Sequence, residues 1–260
     1  MTIPVSSPDP SSSSKPALSV QLYTVRDSLA RDLSGTLHRI AEIGFSAVEL
    51  YGFTDIADQY AELLPASGLT APSAHAGLLG ADVQATFAAA SKIGVRTVIE
   101  PHIDRTHWTS RADIVDSARQ LNDIAQAGAD QDLTIGYHNH WWETENRIDG
   151  APAIEVFADA LDDAVVLEID TYWAQVGGVP APELLARLGN RVALIHVKDG
   201  PGTQRDKDQT AVGQGTLDIP AILAAAPLAR RVVELDDFSG DVFDAVRDSF
   251  DWMTANDGPA

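Results

Sequence analysis

The sequence predicts a single (β/α)8 barrel, and three observations carry that prediction. Its 260 residues suit one such barrel. Short apolar runs alternate with amphipathic segments along nearly the whole chain. Several of the apolar runs end in reactive side chains: Asp170 closes LEID, His196 and Lys198 close LIHVK, and Glu234 follows RVV. Strands that are apolar along their length and polar at their C-terminal ends fit a parallel barrel with a site at one mouth.

The elements follow in order. ALSVQLYTV (17–25) reads as the first strand. In the next segment Leu29, Leu33, Leu37, Ile40 and Ile43 stand at helical spacing, with Gly44 as the stop. FSAVELYG reads as a second strand carrying Glu49, and residues 54–67 as a helix stopped by Gly68. LTAPSAH is the third strand, ending at His75, and VQATFAAASKIG its helix. VRTVIEPH is the fourth, bearing Glu100 and His102, followed by a helix over 110–129. LTIGYHNH is the fifth, with a helix in APAIEVFADAL. AVVLEID and PELLARLG make the sixth unit, and RVALIHVKD and DIPAILAAA the seventh, across a polar loop over 199–215. RRVVELDD and DVFDAVRDSFDWMTA close the chain. IGFSAVEL, SGLTAPSAH, IGVRTVIE and GNRVALIHVKD share a helix-stopping Gly, a β-rich run and a polar end, an internal repeat at βα-unit spacing. A doubly wound open sheet is the alternative, weakened because no GxGxxG follows the first strand.

Composition narrows the function. The formal net charge of −20 opposes a nucleic-acid partner, which needs a basic surface, and adhesion to an anionic membrane. There is no cysteine, so disulfides and thiolate metal sites are excluded. No run of about 18 apolar residues is present to span a membrane. Residues 1–16 are rich in Ser and Pro and read as a disordered tail before a barrel over 17–260, without the apolar segment a secretory signal needs. A cytoplasmic location is the default expectation.

Six of the seven histidines, all but His38, fall at or just past predicted strand ends. Residues i and i+2 share a strand face. His138 and His140, Glu168 and Asp170, His196 and Lys198, and Glu234 and Asp236 therefore point together, while Ile169, Val197 and Leu235 suit the helix side. Charges buried inside a barrel cost several kcal/mol each, of that order, unless compensated. A cation among His138, Asp170, His196 and Glu234 would compensate them, and that mixed N/O set suits Mn2+, Mg2+, Co2+ or Zn2+. A network of salt bridges with Lys198 or Arg231 is the plainer alternative. Lys198 serves as an acid, an oxyanion stabiliser or the counter-charge of Asp170. Glu100 and Glu143 are candidate acid/base groups or orienters of histidines. Trp141, Trp142 and Trp173 near the same edge suit the C–H face of a sugar, or core packing.

SVQLYTVRD, IGFSAVELYG, GYHNHWWE, LEIDTYWAQVGG, LIHVKDG and VVELDDF together resemble the sugar phosphate isomerase/epimerase family, the xylose isomerase-like TIM barrels that include ketose 3-epimerases, inosose dehydratase and endonuclease IV. The resemblance covers nearly all of 17–255. It implies one divalent metal, with Mn2+ first and Mg2+, Co2+ or Zn2+ as alternatives, and an enediolate intermediate. In the ketose epimerases the ligands run Glu, Asp, His, Glu; Asp170, His196 and Glu234 match the last three, and His138 stands first. The first and last Glu are the two bases of those epimerases, so His138 leaves Glu234 as one base, with Lys198, His140 or Glu143 as partner. His75, Glu100, His102, Trp142 and Trp173 are expected to contact substrate.

The reading is thus a metal-dependent isomerase or epimerase of a keto sugar or related polyol. Its alternative is a lyase or dehydratase acting by β-elimination on a 3-keto sugar, 3-keto-glycoside or inosose. A barrel that only binds sugar is a further reading, and DNA repair of the endonuclease IV kind is opposed by the charge. A phosphorylated substrate is unsupported: besides Lys198, the basic residues expected near the mouth are Arg205 and Lys207, in a solvated loop. Barrels of this group commonly form homo-oligomers.

Overall fold

The structure is a computed structural model that describes residues 16–257. The expected tail therefore lies, apart from Pro16, outside the described residues. Eight strands form one closed, wholly parallel barrel, each hydrogen-bonded to the next in chain order and the last to the first. They are β1 (Ser19–Gln21), β2 (Ala47–Tyr51), β3 (Thr70–His75) and β4 (Thr97–Glu100). β5 (Thr134–His138), β6 (Val166–Asp170), β7 (Val192–Val197) and β8 (Arg230–Val233) complete it. Helices run between the strands on the outside, the longest being Arg111–Ala129.

The strands are shorter than the apolar runs predict, and local chemistry explains why. The run over 17–25 leaves the sheet after Gln21, whose side chain accepts a hydrogen bond from the Tyr23 N–H and opens a 3-10 turn over Leu22–Val25. Asp170 does the same at the end of β6. Its carboxylate accepts from the Trp173 N–H and caps an unforeseen helix, Thr171–Val176. The first predicted helix is two, Arg26–Arg31 and Leu33–Ile43, because Asp32 ends one and caps the Gly35 N–H of the other. A small hairpin pairs Arg147–Ile148 with Ala151–Pro152 ahead of the helix at Ala153–Ala160.

The alternation along the strands sorts side chains between two spaces. Val98, Ile135, Tyr137, Leu167, Ile169, Ile195, Val197 and Val233 belong to the large apolar core between barrel and helices. Their neighbours Ile99, Leu194 and Val232 form a separate cluster, packed with Val166 and Ala193, which plugs the barrel interior. Gly136 is needed beside that plug. A Cβ there would lie 2.6 Å from Ile99 Cδ1 and 2.9 Å from the Val166 carbonyl oxygen. Gly44, with φ of 125°, turns the chain out of its helix, and a Cβ there would lie 2.5 Å from the Phe250 ring.

Candidate active site

The inward rows continue past the apolar plug into a charged layer. On β7 the order is Leu194, His196, then Lys198 one residue beyond the strand; on β6 it is Val166, Glu168, Asp170. β5 adds His138, β8 is followed at once by Glu234, and β2 and β3 add Glu49 and His75. The register sets Asp170 beside His196 and His138 beside Glu168. Glu49, Glu168, Asp170 and His196 are fully buried.

The four expected metal ligands, His138, Asp170, His196 and Glu234, come together, with one ligand atom from each lying within 4.8 Å of the others. His196 Nδ1 is 2.7 Å from Glu234 Oε2, and His138 Nε2 is 3.9 Å from Asp170 Oδ2. Lys198 Nζ lies among the carboxylates, 2.8 Å from Asp170 Oδ2, 2.6 Å from Glu234 Oε2 and 2.7 Å from Asp236 Oδ2. Gln209 Nε2 donates to the same Asp236 oxygen and tethers the group to the long loop.

Below this set lies one that sequence reasoning left out of the site. Glu49 and Glu168 face His75, with His75 Nε2 at 3.2 Å from Glu49 Oε1 and 2.5 Å from Glu168 Oε2. His196 Nε2 meets Glu49 Oε1 at 2.7 Å, and His138 Nδ1 meets Glu168 Oε2 at 3.1 Å. Gln21 Nε2 donates to Glu49. The signal that finds both residues is the same period-two rule: Glu168 precedes Asp170 by two, and Glu49 shares the face of Ala47 and Tyr51.

Burial and charge act against each other throughout this layer. Burial alone would raise the Glu49 and Glu168 carboxyls. The neighbouring imidazoles hold Glu49 well below the carboxylate range and Glu168 at about 2. For Glu234 the same opposition is won by Lys198 and His196, which keep it ionised. Burial raises Asp170 despite Lys198, while the carboxylates push Lys198 well above the usual lysine value. His75 is raised to about 10 by Glu49 and Glu168 against its burial, whereas burial and the adjacent His196 lower His138.

The remaining predicted residues separate by strand parity and by where their strands end. Glu100 shares the outward face of Val98, since Ile99 points in. Its carboxylate accepts the backbone N–H groups of Leu78, Leu79 and His102, and it does not border the mouth cavity. Glu143 is fully buried, taking the Tyr137 hydroxyl at 2.6 Å and the His140 N–H at 2.9 Å. β5 ends at His138, so His140 reaches the mouth from the following loop, stacked on Trp142 at 4.3 Å. Trp142 backs His140 and His102, and Trp173 is buried with Lys198 Nζ 5.7 Å from its ring centre.

A cavity of about 450 Å3 opens over the charged layer. His75, His138, Glu234 and Asp236 form its floor, with His102 and His140 on one wall and Tyr23 and Tyr51 also lining it. No lysine or arginine belongs to the described lining. The residues fit a divalent cation by the chemistry of the donor set, two imidazoles and two carboxylates, with Lys198 Nζ as the counter-charge 2.8 Å from Asp170 Oδ2. Among the described residues no helix is long and apolar enough to cross a membrane.

Comparison with known proteins defines the class. The family model for the xylose isomerase-like TIM barrel matches residues 37–254, and the chain belongs to that family. Among solved structures it is similar to a sugar phosphate isomerase/epimerase from Parabacteroides distasonis ATCC 8503, with a TM-score of 0.81 and 21% identity over 97% of this chain and 98% of that one. It is similar to the IOLI protein with a binding zinc atom, with a TM-score of 0.71 and 16% identity over 93% and 98%. It is also similar to the probable 3-DHS dehydratase AsbF from Bacillus anthracis, with a TM-score of 0.70 and 13% identity over 92% and 99%. No curated protein matches the sequence.

Proposed function

We propose that the protein is a divalent-metal-dependent enzyme that moves a proton next to the carbonyl of an unphosphorylated keto sugar or related polyol, as an isomerase or epimerase. The observation that carries this reading is the convergence of His138, Asp170, His196 and Glu234 beneath a sugar-sized cavity. These four residues would hold the metal, and the group would supply Lewis acidity toward a carbonyl and its adjacent hydroxyl. A zinc atom in a neighbour of the same fold supports a metal here without choosing among Mn2+, Mg2+, Co2+ and Zn2+.

The chain's own groups account for the proton. Glu234 borders the cavity as a carboxylate and accepts the proton from the carbon beside the carbonyl, leaving the electron pair shared into the carbonyl as an enediolate. Lys198, buried outside the lining and held by Asp170 and Asp236, acts through Glu234, which it keeps ionised as the base. His140 and the Tyr23–Tyr51 pair line the walls that orient the ring, with Trp142 stacked behind His140. The absence of lysine and arginine from the described lining favours a substrate without phosphate.

One feature favours the second reading, β-elimination. Both carboxylates of the lining, Glu234 and Asp236, follow β8, so the described lining offers carboxylates from one side only. That arrangement suits a shuttle between neighbouring carbons, or loss of a β-hydroxyl, better than inversion by two opposed bases. Incubating keto sugars and inososes with the protein in D2O, with Mn2+ or Mg2+ and after metal stripping, separates these outcomes by mass spectrometry. Metal-dependent deuterium uptake at unchanged composition establishes isomerisation or epimerisation, and uptake with loss of water establishes the lyase. No exchange across the panel defeats the assignment of Glu234 as base.

A further inference from the structure

The two histidines shared by the mouth set and the layer beneath it turn different atoms outward. His138 directs Nε2 toward Asp170 and Nδ1 toward Glu168, at 3.1 Å. His196 directs Nδ1 toward Glu234 at 2.7 Å and Nε2 downward, 2.7 Å from Glu49 and 3.1 Å from Glu168. An ionised carboxylate only accepts hydrogen bonds, so an imidazole nitrogen held against one carries a proton; a cation in the mouth set would take the place of the outward proton and leave the inward one on its carboxylate.

We propose that Glu168, with Glu49 beside it, is a positioning residue that holds the two metal histidines in opposite tautomers, with His138 presenting Nε2 and His196 presenting Nδ1 to the cation. The inference rests on the metal reading above and adds the device that makes two differently oriented rings serve one ion. Glu168 Oε2 is the acceptor for His75 and His138 and lies 3.1 Å from His196 Nε2, whose own hydrogen bond goes to Glu49 Oε1 at 2.7 Å. The second oxygens, Glu49 Oε2 and Glu168 Oε1, are buried without hydrogen-bond partners, while Gln21 and His75 share the first oxygens with the two rings. An acceptor behind each ring fixes its orientation and makes the outward nitrogen more basic.

A rival use of the same layer is a cation of its own, since His75, His138, Glu168 and His196 also bring ligand atoms within 4.8 Å of one another. Filling both sets would require His138 and His196 each to surrender both ring protons. Both sets reach the cavity, the lower one through His75 and His138, but only the mouth set presents a carboxylate to it, Glu234, so the cation that serves a substrate belongs there and the lower layer keeps the protons.

Long-range 1H–15N NMR of the full chain, labelled at histidine and loaded with Zn2+, reads the tautomers directly. The expected pattern is a proton on His138 Nδ1 and on His196 Nε2. The same tautomer at both, or a ring without a proton, overturns the proposal. Zinc content should be one ion per chain; two ions, falling to one in His75→Gln, would assign the lower layer to a second metal. Calorimetric titration with Zn2+ should show Glu168→Gln weaker on the order of 10- to 100-fold, with partial recovery in Glu168→Asp. Affinity unchanged in a folded Glu168→Gln leaves Glu168 a merely structural role and overturns the proposal. A wild-type chain that binds no divalent cation defeats the metal reading itself, whereas one that binds zinc with the wrong tautomers defeats only this inference.

Discussion

Along β7 the inward side chains pass from Leu194 to His196 to Lys198, and the barrel interior changes character at the first of those steps. Beneath it, Ile99, Leu194 and Val232 pack with Val166 and Ala193 as an apolar plug. Above it, the interior holds Glu49, His75, His138, Glu168, Asp170, His196 and Lys198, all buried. The plug depends on shape, so each of its members contributes through its own volume and neighbours. The charged layer depends on mutual compensation, so each member's worth depends on the others being present.

The largest contrast should come from the upper layer's link to chemistry. Glu234→Gln should lower kcat by about 10^2- to 10^4-fold on whichever substrate the D2O panel identifies. Because it breaks the buried pairs with Lys198 and His196, it should also lower the stability of the metal-free protein. A variant that retains wild-type turnover would remove Glu234 from the reaction. Lys198→Met should destabilise the metal-free protein by roughly 3–5 kcal/mol, because Asp170, Glu234 and Asp236 lose their buried counter-charge. Urea unfolding should then show Zn2+ restoring more stability to this variant than to the wild type; equal restoration would separate Lys198 from the metal set.

Leu194→Ala tests the other side of the step. It should cost about 2–5 kcal/mol in urea while leaving substrate KM and metal affinity near wild type, as expected of a cavity in the plug. Loss of metal binding in that variant would show that the two layers are not separable. The smallest effect is expected at Glu100, outside both layers. Burial raises its pKa in the folded state, so it binds its proton more tightly folded than unfolded. Its contribution to stability therefore falls as pH rises from the ordinary value of 4.5 through the raised folded one. Glu100→Gln should flatten that part of the stability profile, change stability on the order of 1 kcal/mol at neutral pH, and leave kcat intact. An unchanged pH slope would mean that other groups set it.

The barrel itself was legible because its repeat is coarse: eight apolar runs survive errors of a few residues at each end. The site was legible where a side chain sits within a strand or one residue past it, as with His138, Asp170, His196 and Glu234. Period-two reasoning works at those positions. It sets Glu168 on the inward face with Asp170, but facing inward does not distinguish a ligand from the residue that backs it, and Glu49 lies within its strand, with no reactive partner two residues away to mark it. At Glu100 the end of the strand misleads, because Ile99 claims the inward face of β4 and Glu100 turns outward. Beyond the strands the rule lapses: His140 and Asp236 reach the site by loop geometry, and Glu143 turns back to Tyr137 through a short helix that no periodicity announces.

The bond between Glu49 and His196 joins positions 147 residues apart. Its consequence lies in how the chain reaches its fold. A partial barrel lacking β7 and β8 would leave Glu49 and Glu168 facing one another with His75 and His138, without His196 or Lys198. Water must then stay inside until the last strands dock. The charged layer thereby makes closure a late, cooperative event and penalises half-barrels that a wholly apolar interior would tolerate as traps. Refolding followed by pulsed hydrogen exchange should find the β2 and β7 amides protected in the same kinetic phase.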